Sequence, residues 1–255
     1  MIDIHSHVLY GLDDGSPSLE ESLRMVRVAA QTGTTDLVAT PHANLEYSLD
    51  PEAVERKLAE LAEACAGAVR LHRGCELHFY FDNIQDALAN PTKYTINHKN
   101  YLLVEFPDLL IAKTTGDVFA RMLDAGIIPI LAHPERNFLL HRRLEDIQRW
   151  ASHGCLVQVT AQSLGSRFGP QVRGACRELL KRGLVDIVAS DAHDSEDRPP
   201  RLDLAYQYVL KHHGEARAER LFVVNPRAVL AGEPLPEAPA PDPPPRRKWY
   251  RFGKY

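Results

Sequence analysis

Short apolar runs recur along the chain and are separated by longer segments with helical periodicity. The β-rich runs cover 2–5, 35–40, 69–76, 101–106, 127–132, 155–160 and 185–190. Several are continuously apolar, as is typical of parallel strands that are covered on both faces. The pattern therefore predicts seven strands.

The segments between these runs predict helices with recognisable ends. Ser18 and Glu21 form a capping box that opens a helix over 18–32, and Asp50-Pro51 begins a second one. Further helices are predicted over 114–125, 144–153 and 171–182, whereas 77–100 is polar and predicts an irregular crossover. This alternation predicts an α/β fold with a parallel sheet. Seven units favour a barrel related to the eight-unit one, with an open sheet as the alternative.

Composition narrows the class of protein. The chain has 255 residues, 44% of them hydrophobic, and a formal net charge of −4, which gives no bulk attraction to nucleic acid. Its four cysteines are scattered without a C-x-x-C pair, which predicts a reduced compartment. The N-terminus lacks the basic and apolar regions of a signal peptide, and no run has the length of a membrane span. We expect a cytoplasmic protein.

The C-terminal segment differs from the rest of the chain. Residues 234–245 contain seven of the eighteen prolines, and 246–255 hold five basic residues, four aromatic residues and no acid. We therefore predict a folded domain over 1–232 and a flexible tail over 233–255. The basic, aromatic end suggests contact with an anionic membrane surface. The alternative is that this end is solvated and makes no such contact.

Histidines and carboxylates follow six of the seven predicted strands. The carboxyl ends of parallel strands meet at one edge, where α/β proteins build their active sites. An Asp13-Asp14 pair lies in the loop after the first strand. The predicted metal ligands are His5, His7, Asp14, His42, Glu76, Glu105, His133, Asp191 and His193.

This mixture of imidazole and carboxylate suits zinc, manganese and iron, and about nine such groups are too many for one ion. A site with two or three metal ions can lower the pKa of a bound water and hold the oxygens of a phosphoryl group. Arg136 and Arg198 lie near the same edge and could pair with phosphate. The pattern predicts a metal-dependent phosphoesterase. The seven other histidines, His78 among them, are predicted to have surface or packing roles.

Five motifs, in this order, resemble those of the PHP (polymerase and histidinol phosphatase) superfamily. They are Asp3-Ile4-His5-Ser6-His7, Thr40-Pro41-His42, Gly74-Cys75-Glu76, Ala132-His133-Pro134 and Ser190-Asp191-Ala192-His193. Within it, the chain looks like the bacterial capsule-locus tyrosine-protein phosphatases. The segments that carry this closer likeness are Asp13-Asp14-Gly15, Val104-Glu105-Phe106-Pro107, His133-Pro134-Glu135-Arg136 and Arg198-Pro199-Pro200.

The resemblance implies a distorted seven-unit (β/α) barrel of TIM-like type with three metal ions, often manganese, with iron, zinc or cobalt as alternatives. It also implies a phosphotyrosine substrate, on a membrane-associated bacterial tyrosine autokinase that controls export of capsule or exopolysaccharide. Such a kinase is then a second candidate partner for the basic tail. No partner nucleic acid is expected, and the oligomeric state stays open.

Individual roles follow from the same resemblance. His5, His7 and Asp191 would bind the first metal, and Glu76 would bridge it to the second. Glu105 and His133 would complete the second, and Asp14, His42 and His193 would hold the third. Arg136 and Arg198 match the arginines that bind the substrate phosphate.

Three alternatives compete with this assignment. A histidinol-phosphate phosphatase would use the same metals on a small alkyl phosphate. A nuclease is disfavoured by the acidic body, since residues 1–232 carry 25 basic and 31 acidic residues, a net charge of −6. A metal-binding protein that only docks on the export kinase is disfavoured because the ligands and both arginines are present.

Overall fold

A computed structural model describes residues 1–237, so the predicted role of the 246–255 tail lies outside the described residues. All strand pairs in this part of the chain are parallel, which confirms the predicted α/β fold with parallel sheets. The strands are β1 Ile2–Ser6, β2 Asp36–Ala39, β3 His42–Ala43, β4 Arg70–Arg73, β5 Glu76–His78, β6 Tyr101–Glu105, β7 Ile128–Ala132, β8 Leu156–Thr160 and β9 Ile187–Ala189.

The strands form two sheets, so the seven-unit barrel expected from the sequence is not confirmed. One sheet has the order β1-β2-β4 and the other β3-β5-β6-β7-β8-β9, and no closed sheet occurs within residues 1–237. Within residues 1–237, two strands are additional to the seven predicted: β3 follows Pro41, beyond the predicted strand over 35–40, and Gly74-Cys75 divides the predicted strand over 69–76 into β4 and β5. Proline has no N–H to donate to a sheet ladder, which accounts for the break between β2 and β3. A parallel bridge between Ser6 and Ala192 joins β1 to the end of β9.

The predicted helices are present with the predicted caps. The longer helices are α1 Leu19–Gln31, α2 Pro51–Ala64, α3 Phe81–Ala89, α5 Thr115–Asp124, α6 Leu144–Ser152, α7 Gly169–Lys181 and α8 Asp203–His213; the shorter are α4 Pro91–Tyr94, α9 Glu215–Glu219 and α10 Asn225–Ala231. The Ser18 side chain accepts a hydrogen bond from the Glu21 N–H, and Asp50 accepts from Glu52 and Ala53. Side-chain caps of this kind satisfy N–H groups that lack partners in the first turn.

The prediction of an irregular crossover over 77–100 was wrong. Helix α3 occupies much of it and buries Ile84 and Ala87 on one face, and the short α4 follows. The three-residue spacing of these two side chains places them on the same face of a helix, where they contribute to the core. Polar residues on the other face hide this pattern in the sequence.

The core lies on both sides of the strands. Inward-facing residues such as Ile4, Leu103 and Ile130 pack together, and a larger cluster including Phe106, Phe119 and Trp150 packs between strands and helices. Within the described residues, none of the helices has the length and apolar character needed to cross a bilayer. Gly232 ends α10 in the left-handed conformation, and the Glu233 carbonyl accepts a hydrogen bond from the Tyr101 hydroxyl.

Candidate metal centre

Six strands and the loops that follow them bring all nine predicted ligands to one edge of the sheets. His5 lies within β1 and His7 follows it, while His42 begins β3 and Glu76 begins β5. Glu105 ends β6, His133 follows β7, and Asp191 and His193 follow β9. Asp14 comes from the loop after β1. Four overlapping groups of side chains have ligand atoms within 4.8 Å of one another: His7, Asp14, His42 and His193; His5, His7 and Glu76; His5, His133 and Asp191; and His42, Glu76 and Glu105.

This grouping agrees in part with the sets implied by the resemblance. Asp14, His42 and His193 lie together as expected, and His7 joins them. Glu76 lies between His5, His7 and His42, in keeping with a bridging position. His133 lies with both Asp191 and Glu76, so it stands between the sets expected for the first and second metals.

Hydrogen bonds on the outer side of the site fix the orientation of the two central imidazoles. His5 Nδ1 lies 3.0 Å from the Gln158 side-chain oxygen, and His7 Nδ1 lies 2.7 Å from Asp13 Oδ2. Both partner oxygens are acceptors, so each Nδ1 carries the proton and donates it. In the neutral form of each imidazole, the lone pair is therefore on Nε2, which faces the interior of the cluster.

The interior is short of hydrogen-bond donors. The Nε2 atoms of His5 and His7 face each other at 3.3 Å, and Glu76 Oε2 lies 3.2 Å and 3.3 Å from them. Both histidines and Glu76 are fully or almost fully buried. Within residues 1–237, Glu76 Oε2 and His42 Nδ1 are buried without a hydrogen-bond partner. Converging lone pairs of this kind repel one another unless a proton or a metal ion lies between them, and the mixture of imidazole and carboxylate ligand atoms fits metal ions.

Charge in the cluster points the same way. Among residues 1–237, the site gathers the carboxylates of Asp14, Glu76, Glu105 and Asp191 and the guanidinium groups of Arg136 and Arg198. Burial acts to raise the pKa of Glu76, yet the nearby His5, His133 and His42 hold it well below its usual range. The Asp191 pKa is also lowered well below normal, by His5 and other neighbours against the effect of burial. Glu76 and Asp191 are thus ionised, the form in which carboxylates bind metals.

Both predicted phosphate-binding arginines contact Asp191. Arg136 Nη1 and Arg198 Nη2 donate to Asp191 Oδ2, the latter over 2.8 Å, and Arg198 Nη2 also donates to the Asp191 carbonyl over 3.1 Å. Arg198 Nε is buried with no partner in the described chain. The Arg136 guanidinium also lies over the Phe168 ring, 4.7 Å from its centroid. Each arginine is therefore held in place by one part of its guanidinium.

Two of the predicted ligands have backbone conformations that non-glycine residues rarely adopt. The φ angle of His133 is 32° and that of Asp191 is 53°. Such conformations cost about 1–3 kcal/mol each and persist where the surroundings enforce them. At Asp191, the backbone N–H donates to the His5 carbonyl. Each residue turns its side chain into the cluster at the point where its strand ends.

The structure also brings to the site residues that were not predicted as ligands. Asp13 accepts from His7, and Gln158 from β8 accepts from His5. His78, predicted to have an ordinary role, has its Nδ1 3.3 Å from Glu105 Oε2 and lies at the rim. Gly15 closes the loop against His7, since a Cβ here would lie 2.3 Å from the His7 carbonyl oxygen. Only the adjacent Asp13-Asp14-Gly15 motif gave a signal for any of them.

The fold and site define the class of protein: a parallel α/β protein with a histidine and carboxylate cluster at the carboxyl edge of its strands. The chain belongs to the CpsB/CapC family of capsular polysaccharide synthesis, and the match to this family covers residues 1–231.

Relatives with assigned names cover almost the whole chain. It is 34% identical to the putative tyrosine-protein phosphatase CapC of Staphylococcus aureus, covering 98% of this chain and 99% of that protein. It is 31% identical to the tyrosine-protein phosphatase YwqE of Bacillus subtilis, covering 99% and 100%.

Solved structures agree with this. A crystal structure from work on YwqE of B. subtilis and CpsB of Streptococcus pneumoniae, described as unique metal-dependent tyrosine phosphatases, matches with a TM-score of 0.86 at 29% identity, covering 92% of this chain and 96% of that one. A β-aspartyl dipeptidase of Fervidobacterium islandicum matches with a TM-score of 0.56 at 14% identity, covering 92% and 74%, and shares the fold alone.

Proposed function

We propose that this chain is a metal-dependent protein-tyrosine phosphatase that acts in capsule or exopolysaccharide synthesis. Its family and its named relatives support this function. The observation that carries the proposal is the pair of buried Nε2 atoms of His5 and His7, which face each other at 3.3 Å beside Glu76. A phosphate ester is the substrate that such a site, flanked by two arginines, fits best.

Two to three divalent ions, with manganese as the preferred metal, would be held by the nine predicted residues. His5, His7, Glu76 and Asp191 would form the buried part of the site, while Asp14 at its exposed side would complete it. Bound metal ions supply Lewis-acid polarisation of the phosphoryl oxygens and lower the pKa of water. The role of the chain is to fix the imidazoles in the tautomer that presents Nε2, through Gln158 and Asp13.

Arg136 and Arg198 would bind the oxygens of the substrate phosphate. Asp191 holds one nitrogen of each guanidinium, which leaves other N–H groups to donate, including Arg198 Nε, which has no partner within residues 1–237. Their positive charge offsets the charge that develops on the equatorial oxygens and on the leaving phenolate. Because a guanidinium donates in a planar fork, lysine would not reproduce this arrangement.

The remaining expectations extend this proposal. The split strands suggest a distorted seven-unit barrel in which β2 with β3, and β4 with β5, each fill one position; the bridge from Ser6 to Ala192 supports this arrangement. A tyrosine autokinase is the proposed protein substrate, in keeping with the capsule-synthesis family. The domain boundary at 232 and the cytoplasmic location stay predictions.

A phosphatase assay with defined metals tests the function. Metal-stripped protein should hydrolyse a phosphotyrosine peptide only after Mn²⁺ is restored, and with a higher kcat/KM than histidinol phosphate. The Glu76→Gln variant should lose activity at every metal concentration, whereas Glu46→Gln, an exposed carboxylate in the loop after β3, should match the wild type. Full turnover in stripped protein, or a preference for histidinol phosphate, would refute the proposal.

A further inference from the structure

An apolar groove lies beside the candidate metal centre. It has a volume of about 640 Å³, within the usual range for ligand pockets. One wall consists of Phe79 to Ile84 at the start of α3, the other of the loop over 107–112, and Val118 of α5 lies in its floor. The function proposed above does not use this groove.

The groove gathers exposed apolar side chains that cost free energy in water. Leu109 is 94% exposed, Leu110 70% and Phe81 74%. These three are half of the six exposed large hydrophobic residues in the described chain. Scattered exposed leucines are ordinary, but a cluster of them that borders a groove marks a binding surface.

The groove and the metal centre share the same segments of chain. Glu105 ends β6 as a predicted ligand, Pro107 and Leu109 follow it into the groove, and Asp108 between them faces the site together with His133 and Arg136. On the opposite wall, the Phe79 N–H donates to the Glu105 carbonyl over 2.8 Å. A polypeptide whose phosphotyrosine occupies the site therefore has the groove within a few residues of its chain.

We propose that this groove binds a large apolar side chain of the substrate polypeptide, within a few residues of the phosphotyrosine. The inference rests on the proposed phosphatase function. The lining is largely apolar, with charge only from Asp117 and Arg121 of α5, so a leucine or an aromatic side chain fits it and a charged one does not.

The test compares a small substrate with two peptides. One phosphotyrosine peptide carries leucines within three residues on either side of the phosphotyrosine, and the second carries serines in their place; p-nitrophenyl phosphate is the small substrate. The variants are Leu109→Ser combined with Leu110→Ser, and Phe81→Ser on the opposite wall. Leu204→Ser, an equally exposed leucine of α8 outside the groove, is the matched control.

Both groove variants should lower kcat/KM for the leucine peptide about tenfold, equivalent to about 1.4 kcal/mol. They should change p-nitrophenyl phosphate turnover and the serine peptide by less than about twofold, and Leu204→Ser should change none of them. Equal losses on all three substrates, or no loss on the leucine peptide, would overturn the inference.

A second copy of the chain is the competing occupant. Light scattering after gel filtration distinguishes it, because groove variants that convert a dimer to a monomer while peptide kinetics stay unchanged would overturn the inference. If the wild-type protein hydrolyses none of the three substrates, the proposed function itself fails. Turnover of all three with no effect of the groove variants leaves that function intact and removes only the groove.

Discussion

The carboxylate of Asp13 should control metal affinity although it is not itself a predicted ligand. Its Oδ2 accepts from His7 Nδ1 over 2.7 Å and from the His42 N–H over 3.0 Å, and its Oδ1 accepts from the Gly15 N–H over 3.0 Å. Three donors thus converge on one carboxylate. The pKa of Asp13 falls to about 2, because His7 and these hydrogen bonds outweigh the effect of burial.

The Asp13→Asn variant cannot satisfy all three donors in either orientation. With the amide oxygen towards His7, its NH₂ group faces the Gly15 N–H, and one buried donor loses its acceptor at a cost of about 1–3 kcal/mol. With the NH₂ group towards His7, the imidazole must accept at Nδ1, so its proton moves to Nε2 and blocks the lone pair that faces the site. Loss of the negative charge also weakens the basicity of the ring.

Metal affinity of Asp13→Asn should fall about 10- to 100-fold, the usual range for an outer partner of a ligating histidine, equivalent to about 1.4–2.8 kcal/mol. The assay is Mn²⁺ titration of stripped protein by calorimetry, with phosphatase activity measured along the same titration. Asp86→Asn is the matched control, because Asp86 also accepts three hydrogen bonds but lies on α3 away from the metal cluster. Wild-type affinity in Asp13→Asn would refute the reasoning.

Four further predictions follow from other parts of the structure. Arg198→Lys should raise KM for a phosphotyrosine peptide about tenfold with metal content unchanged, because the point charge of an ammonium replaces the planar fork of a guanidinium. A lower metal content of the variant, measured by elemental analysis, would contradict this. Chelation should lower the Tm, and Mn²⁺ should restore it, since ligands bound only to the folded state stabilise it; an unchanged Tm would argue against metal binding. Gly15→Ala should destabilise the fold by about 1–3 kcal/mol in urea unfolding, because its Cβ would overlap His7; wild-type stability would show that the loop adjusts freely. Burial raises the pKa of Asp186 to about 6, so this carboxyl stabilises the fold fully below pH 4 and loses that contribution as pH rises through 6. The free energy of unfolding of Asp186→Asn, relative to that of the wild type, should therefore increase by about 1–3 kcal/mol between pH 4 and pH 7. A difference between the two proteins that stays constant with pH would contradict the sign.

The sequence predicted the location of the site better than the hydrogen bonds within it. Parallel strands end at one edge whatever their order in the sheet, so the sequence alone predicted that five ligands lie close together: His5, His42, Glu76, His133 and Asp191. The split of two strands depends on the local backbone around Pro41 and Gly74, and this changed the sheet order without moving the ligands.

The residues that accept hydrogen bonds from the predicted ligands could not be predicted from the sequence. Gln158 is an ordinary strand residue in the sequence, and only the pairing of β8 with its neighbours places it against His5. The sequence pattern does not distinguish Asp13 from Asp14. In the structure, the side chain of Asp13 is buried in contact with His7, while that of Asp14 is half exposed. Which of two adjacent acids points outward depends on the loop conformation that Gly15 allows.

The bridge between Ser6 and Ala192 has a consequence for how the protein is made. It holds together two groups of ligands from opposite ends of the folded chain, since Ser190 Oγ and the His5 carbonyl are 185 positions apart and only 3.3 Å from each other. A nascent chain on the ribosome has made His5 and His7 long before Asp191 and His193. The growing polypeptide therefore lacks the last two predicted ligands until about three quarters of the 255 residues have been made, so the candidate site cannot form before that point.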